Sequence, residues 1–439
     1  MNRISRWLIV TASFAFTAVP VLAGHDWPQW RGPQFDGASD ASNLPTKLDK
    51  STQAWETQLP GLGNGTPVIV GDRVLLSCYD NKSAKLLGMC ISRTDGHVLW
   101  QKEVAGSMMR NDRNNAASPS AVADANCVFF TFATGDIAAF DLEGKPLWQR
   151  NLQKDYGTFN IQWIYSSSPL LYKGKLYVQV LQRDVPPHGP PTSDKRADSY
   201  LLALDPRTGH ILWRQVRPNE AREESKESYA TPVPLEHDGR SEIILVGGDV
   251  VTAHDADTGK ELWRAGGWNP GKEAQWRLVP SVCPDNADGL VFACAPKGGA
   301  VMAFRDGGAG DVTQSSLAWK SEPRSTGISS DVCVPLLYKN SLYVLNGDRK
   351  TLYCLDPKTG KEKWKGKLGG NPVFRASPTG ADDKIYCMNE GGDLWVLSAD
   401  SFKILSQSSL GARPSHASAA VVDGMAIVRS GEKLTAFKK

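Results

Sequence analysis

Arg277 and Arg375, together with Tyr165, Tyr229 and Trp276, carry the groups most able to hold an anionic, planar or sugar-like ligand. Guanidinium groups bind through paired hydrogen bonds and aromatic rings by stacking. All five stand three or four residues before a proline that opens an apolar run. The same offset elsewhere gives Asn64, Asn115 and Asp331, and His416 is reached by counting back from Ala419, which replaces the proline in its run. If these runs converge, the residues form a ring at the mouth of a channel; the alternative is that they only pack the mouth and order water. Asp331 is a candidate base by position alone. No His-Glu-x-x-His, Gly-x-Ser-x-Gly, phosphate-cradling loop or Cys-x-x-Cys-His occurs. Gly61-Leu-Gly63-Asn-Gly65 precedes a strand and reads as a turn, and the seven histidines are too scattered to suggest a metal site.

The elements that must position this ring come from a repeat. Ala-x-Asp-x-x-x-Gly-x-x-x-Trp occurs at Ala203, Asp205, Gly209, Trp213, again at Ala253, Asp255, Gly259, Trp263, and at Cys354, Asp356, Gly360, Trp364. Weaker copies end at Trp100, Trp148 and Trp319, and a decayed one runs from Val396 to Ser406. An eighth is split, with Ala436 beginning it and Trp55 supplying its ending. The endings recur roughly every 50 residues, the spacing of propeller blades. Each unit reads as four strands, the first opened by an X-Pro step such as Thr66-Pro67, Ser168-Pro169 or Ser377-Pro378, where the missing amide donor costs nothing. The expected fold is all-β: an eight-bladed β-propeller of four-stranded antiparallel blades, closed by pairing the N- and C-terminal segments. In the motif, Asp caps a turn, Gly supplies positive φ, and Trp can wedge between blades.

The first 23 residues have a basic head, an apolar stretch and a small-residue site ending at Ala23, which reads as a cleaved signal peptide with no lipobox cysteine after it. This places the mature chain in the periplasm or outside the cell. Residues 24–50, with Asp26-Trp27-Pro28-Gln29-Trp30-Arg31-Gly32-Pro33, are aromatic enough to dock on the propeller, and 51–439 form the propeller domain. Formal charge is +3 from 50 basic and 47 acidic residues, which favours neither nucleic acid nor an anionic membrane surface. Eight cysteines in an exported chain permit bridges between Cys78 and Cys90 or Cys283 and Cys294, or else buried free thiols. Long connections at 108–114, 183–198 and 217–227 collect towards the mouth, and the Pro-rich 183–198 reads as a stiff loop able to lie across it.

These repeats resemble those of the pyrroloquinoline quinone repeat family of eight-bladed propellers, and the likeness covers nearly all of the chain after residue 23. Two branches follow from it. Quinoprotein alcohol and sugar dehydrogenases hold the quinone with calcium in the channel beside a carboxylate base, which the resemblance would assign to Asp331 over a floor at Trp276. Many carry an adjacent Cys-Cys pair that is absent here. The propeller lipoprotein of the outer-membrane barrel-insertion machinery is a non-enzymatic scaffold of similar length. The leading expectation is an exported binding or scaffold protein, acting as a monomer without a cofactor. Its partner would be a protein or a small anionic or polar ligand at the channel mouth, with peripheral contact to a membrane assembly. A quinone-dependent oxidoreductase is second, and a polysaccharide-binding or polysaccharide-cleaving propeller is third.

Overall fold

The computed structural model describes residues 26–106, 113–187, 197–323, 327–411 and 413–439. The proposed leader and most of the 108–114 and 183–198 connections lie outside them. Eight antiparallel blades follow one another around a channel, at 68–106, 122–151, 170–216, 233–265, 283–320, 336–367, 379–409 and 420–438, here blades I to VIII. Blade VIII takes its outermost strand, Gln53–Gln58, from the other end of the chain, in the order expected of a split repeat. Among the described residues helix is limited to Leu152–Tyr156 and one 3-10 turn, Glu223–Lys226, and none is long and apolar enough to cross a membrane.

The repeat motif is the joint between blades. Its first and last residues face each other across the third and fourth strands in every blade: Cys90 with Trp100, Ala139 with Trp148, Ala203 with Trp213, Ala253 with Trp263, Ala303 with Trp319, Cys354 with Trp364, Val396 with Ser406 and Ala436 with Trp55. The facing residue is Ala or Cys in all seven blades that keep the tryptophan. Asp205, Asp255 and Asp356 each accept two backbone amides of the following turn. The turn glycine then approaches the tryptophan of the preceding blade. A Cβ on Gly259 (φ +74°) would lie 2.5 Å from Trp213, and one on Gly209 2.6 Å from Trp148. The indole N–H groups of Trp55, Trp100, Trp148 and Trp319 donate to carbonyls of the next blade, at Arg93, Leu142, Pro206 and Pro357. Blade V has an insertion where its turn glycine would be, and the chain compensates locally. Its own Gly310–Asp311 adds to the outer edge of blade IV in parallel, leaving Trp263 fully buried and donating to Glu242.

A second set of bonds encircles the channel at the start of the innermost strands. The amide of Thr66 donates to the hydroxyl of Ser120, Ser120 to Ser168, Ser168 to Thr231, Thr231 to Ser281, Val334 to Ser377, Ser377 to Ser418, and Ser418 back to Thr66. The link missing from this belt runs from blade V to blade VI, where Val334 has no hydroxyl to accept it.

The segment before the propeller stitches the ring from one end of the channel. Trp27 exchanges backbone hydrogen bonds with Ile69 in blade I, Pro28 accepts from Ala123 in blade II, Asp36 from Leu337 in blade VI, and Gly37 from Gly380 in blade VII. Each of those partners stands three residues beyond the belt position of its blade, so the arm lies on one side of the belt and spans the channel. Arg31, only 2% exposed, anchors the crossing by donating to the carbonyls of Pro335, Pro378 and Asp36. Burial lowers its pKa, and carbonyl bonds replace the usual carboxylate partner.

All eight cysteines are free and buried, which decides between the alternatives read from the sequence. Register is the reason. Cys78 lies opposite Leu87 and Cys90 opposite Leu75, while Cys283 faces Phe292 and Cys294 faces Val301, so neither pair is directly apposed.

Candidate functional site

On the side of the belt away from the arm, the channel widens into a cavity of about 430 Å3, with Trp30 of the arm among its lining residues. A volume of this order suits a small molecule. Strand periodicity determines which side chains reach it. Two residues before each belt position the side chain returns to the channel, giving Asn64, Ser118, Ser166, Tyr229, Val279, Val332, Arg375 and His416, and all eight line the cavity. Arg277 and Asp331 reach it as well.

Of the residues singled out from the sequence, the cavity therefore brings together Asn64, Tyr229, Arg277, Asp331, Arg375 and His416. Asn115, Tyr165 and Trp276 do not line it. Tyr165 stands one residue further back and points the opposite way, against Phe159 at a ring separation of 5.0 Å, with its hydroxyl donating to the Gln179 carbonyl. Trp276 is buried in the apolar cluster of blades IV and V by the same alternation. Asn115 misses for another reason. In blades II and V the belt residue follows the proline instead of preceding it, so counting from Pro119 overshoots, and Ser118 takes the lining position. Asn115 instead supports the wall, capping the Ala117 amide.

The charged groups of the wall are paired. Arg277 Nε lies 3.2 Å from Glu224 and its Nη2 3.7 Å from Asp331. Arg375 donates to Asp348 at 2.8 Å, and His416 Nε2 lies 3.0 Å from Glu390. The bond from His416 is the foremost reason the Glu390 carboxyl titrates below its ordinary value. On the opposite arc, Trp163 is held on three sides. Its indole N–H donates to Glu224 at 3.0 Å, its amide to the Tyr229 hydroxyl, and its carbonyl accepts from Asn114. Tyr229 donates at 2.5 Å to Glu227, a fully buried carboxylate also bonded by Arg183 and the Gln162 amide. Burial raises both the Glu227 carboxyl and the Tyr229 phenol.

Trp30, Trp163, Asp348 and Glu390 also line the cavity and were not singled out as site residues from the sequence, while Arg113 comes from the 108–114 connection expected at the mouth. Asp348 and Glu390 occupy turns between second and third strands, which come to the same face of a blade as the approach to its first strand. Applying the repeat alignment to those turns would have found them. Trp30 and Trp163 have no counterpart in other blades, so the repeat alignment could not place them in the cavity.

The cavity does not suit a calcium–quinone pair. Its carboxylates are each committed to arginine, histidine or an amide, and among the described residues no group of three His, Cys, Asp or Glu could hold a metal ion. A polycarboxylate quinone would have to take the arginines from carboxylates they already hold.

A family model described as outer membrane protein assembly factor BamB matches residues 40–182, 197–313 and 305–439. Polyvinylalcohol dehydrogenase of Sphingopyxis sp. (strain 113P3) is 26% identical over 302 residues, 60% of this chain and 44% of that one, so the chain spans less than half the length of this curated relative. Among solved structures, BamB from Moraxella catarrhalis superposes with a TM-score of 0.59 at 14% identity, covering 88% of this chain and 97% of that one. Quinohemoprotein alcohol dehydrogenase from Comamonas testosteroni gives 0.67 at 12% identity, covering 94% and 80%. At such identities the structures speak to the fold alone. The chain is a quinone-repeat-type propeller related both to an assembly factor and to dehydrogenases.

Proposed function

The chain belongs to the family described as outer membrane protein assembly factor BamB, and from that membership we propose that it works by binding and not by redox chemistry. It is read as an exported propeller that recognises a ligand or a protein segment at the open mouth of its channel. The leader-like first 23 residues support export. The observation that carries the reading is the state of the cavity carboxylates. Asp331, the carboxylate that stands where a base would, accepts the Lys297 amide with one oxygen while the other faces Arg277, so it is positioned as an acceptor within an ion-paired wall. The relatives named as dehydrogenases keep an oxidoreductase as the competing reading.

Calorimetric titration with pyrroloquinoline quinone, with and without calcium, separates the two. The expected result is no saturable binding, and no reduction of an artificial electron acceptor by alcohols or sugars. Calcium-dependent binding together with alcohol-dependent dye reduction would overturn the proposal.

A further inference from the structure

We propose that the channel cavity is a binding site for a neutral mono- or disaccharide. The inference rests on the binding reading above and names its ligand class. Three arginines line the cavity, Arg113, Arg277 and Arg375, and so do three carboxylates, Asp331, Asp348 and Glu390. The wall is therefore charge-balanced, and an anionic ligand gains no net attraction on entering, nor does a cation. Hydroxyl groups are different, because each both donates and accepts. A polyol can accept from a guanidinium and donate to the carboxylate beside it without separating the pair, whereas a charged ligand would have to draw one partner away from the other.

Two further features point the same way. Ser120, Ser168, Thr231, Ser377 and Ser418 line the cavity, and each already accepts a neighbouring blade's amide. Each hydroxyl still has its own proton to give, so the belt presents donors to sugar oxygens. The rings of Trp163, Tyr229 and Trp30 also line the cavity and are suited to the apolar face of a pyranose. The indole bond to Glu224 holds the Trp163 ring, and the bonds of its backbone with Tyr229 and Asn114 hold the segment that carries it, which lowers the cost of ordering it on binding.

The test uses the full chain without its leader, titrated by calorimetry and tryptophan fluorescence with maltose, cellobiose and N-acetylglucosamine, and with citrate as an anionic probe. Saturable binding of at least one of the sugars at millimolar or tighter affinity is expected, with none of citrate. Trp163→Ala should weaken it at least about tenfold. Ser166→Phe, at a lining position with room in front of it, should abolish binding while leaving the melting curve unchanged, and so covers the case in which Trp163→Ala does not fold. The proposal falls if no sugar binds up to about 50 mM to protein with a cooperative melt. It falls equally if citrate binds instead, or if Ser166→Phe binds as wild type does. A sugar that binds and then drives dye reduction would sink the non-catalytic reading and leave the ligand class standing.

Discussion

Replacing Gly259 with alanine tests whether the motif glycine is fixed by the neighbouring tryptophan or only by its own backbone. At φ +74° a side chain costs about 1–2 kcal/mol in the left-handed region. The new Cβ would also lie 2.5 Å from both Cε3 and Cζ3 of Trp213, so the indole must be pushed out of its seat between blades III and IV. Overpacking of this kind costs about 1–3 kcal/mol more, giving about 2–5 kcal/mol in all. Gly174 is the control, because its φ of +70° is almost the same and nothing lies within 4 Å of the Cβ position. Gly174→Ala should cost about 1–2 kcal/mol, the backbone share alone. For a ring of this size 1 kcal/mol moves the melting temperature by about 1 °C, so urea denaturation is the better assay, with scanning calorimetry beside it. The background Trp213→Ala closes a double-mutant cycle, in which Gly259→Ala should cost no more than Gly174→Ala does. Equal costs for the two glycine variants in the wild-type chain, or an undiminished cost without Trp213, would refute the interblade lock.

Deleting 433–439 removes the strand that pairs Ala436 with Trp55, and with it the buried Leu434 and Phe437. Loss of a single cooperative unfolding transition is expected, and a truncated chain melting as the full one does would show that closure is dispensable. His254 gives a pH signature. It is fully buried between the Gly259 carbonyl and the Thr252 hydroxyl, and burial, with the nearby Arg217 and Arg264 charges adding to it against Glu261, depresses its pKa to about 4. Between the ordinary value near 6.5 and about 4, the unfolded chain binds a proton the folded one does not. The stability this contributes is therefore complete above pH 6.5 and falls as pH drops, by up to about 3 kcal/mol. His254→Gln should flatten the pH dependence of denaturation over that window, and parallel wild-type and variant curves would contradict the assignment.

The fold was readable because its joint is written in residue types. A small residue opposite an indole, an aspartate to cap the turn and a glycine to admit the preceding blade's indole repeat at fixed spacing, and even the decayed Val396–Ser406 pair keeps its register. The split of Ala436 from Trp55 was legible for the same reason. The channel wall was half legible. Offsets from a strand-opening proline, or from Ala419 in its place, locate Asn64, Tyr229, Arg375 and His416, but they cannot say which of two successive residues faces inward, so Tyr165 and Trp276 entered on the wrong side of the strand. Nor does proline mark the same register in every blade, since Ser120 and Ser281 follow theirs. Docking of the arm that carries Trp30 was expected from its aromatic residues, but the places of Trp30 and Trp163 in the cavity were not: a side chain carried by the arm or by a single connection has no counterpart to be aligned with. The cysteines show the complementary failure, since adjacency of strands says nothing about apposition within them.

The hydroxyl belt behaves as a hoop with one unfastened buckle. Every blade is tied to the next by an amide-to-hydroxyl bond except where Val334 stands, and there the wall between blades V and VI also opens into a side pocket of about 320 Å3 flanked by Lys297, Ser329 and Asn346. The arm grips the ring at this place, Arg31 holding the Pro335 carbonyl next to Val334 and Asp36 the Leu337 amide. The seam and its clasp are thus supplied by distant stretches of chain, and releasing the arm frees the ring where it is least bound. A closed circle of equivalent blades would breathe anywhere; this one has been given a preferred place to part.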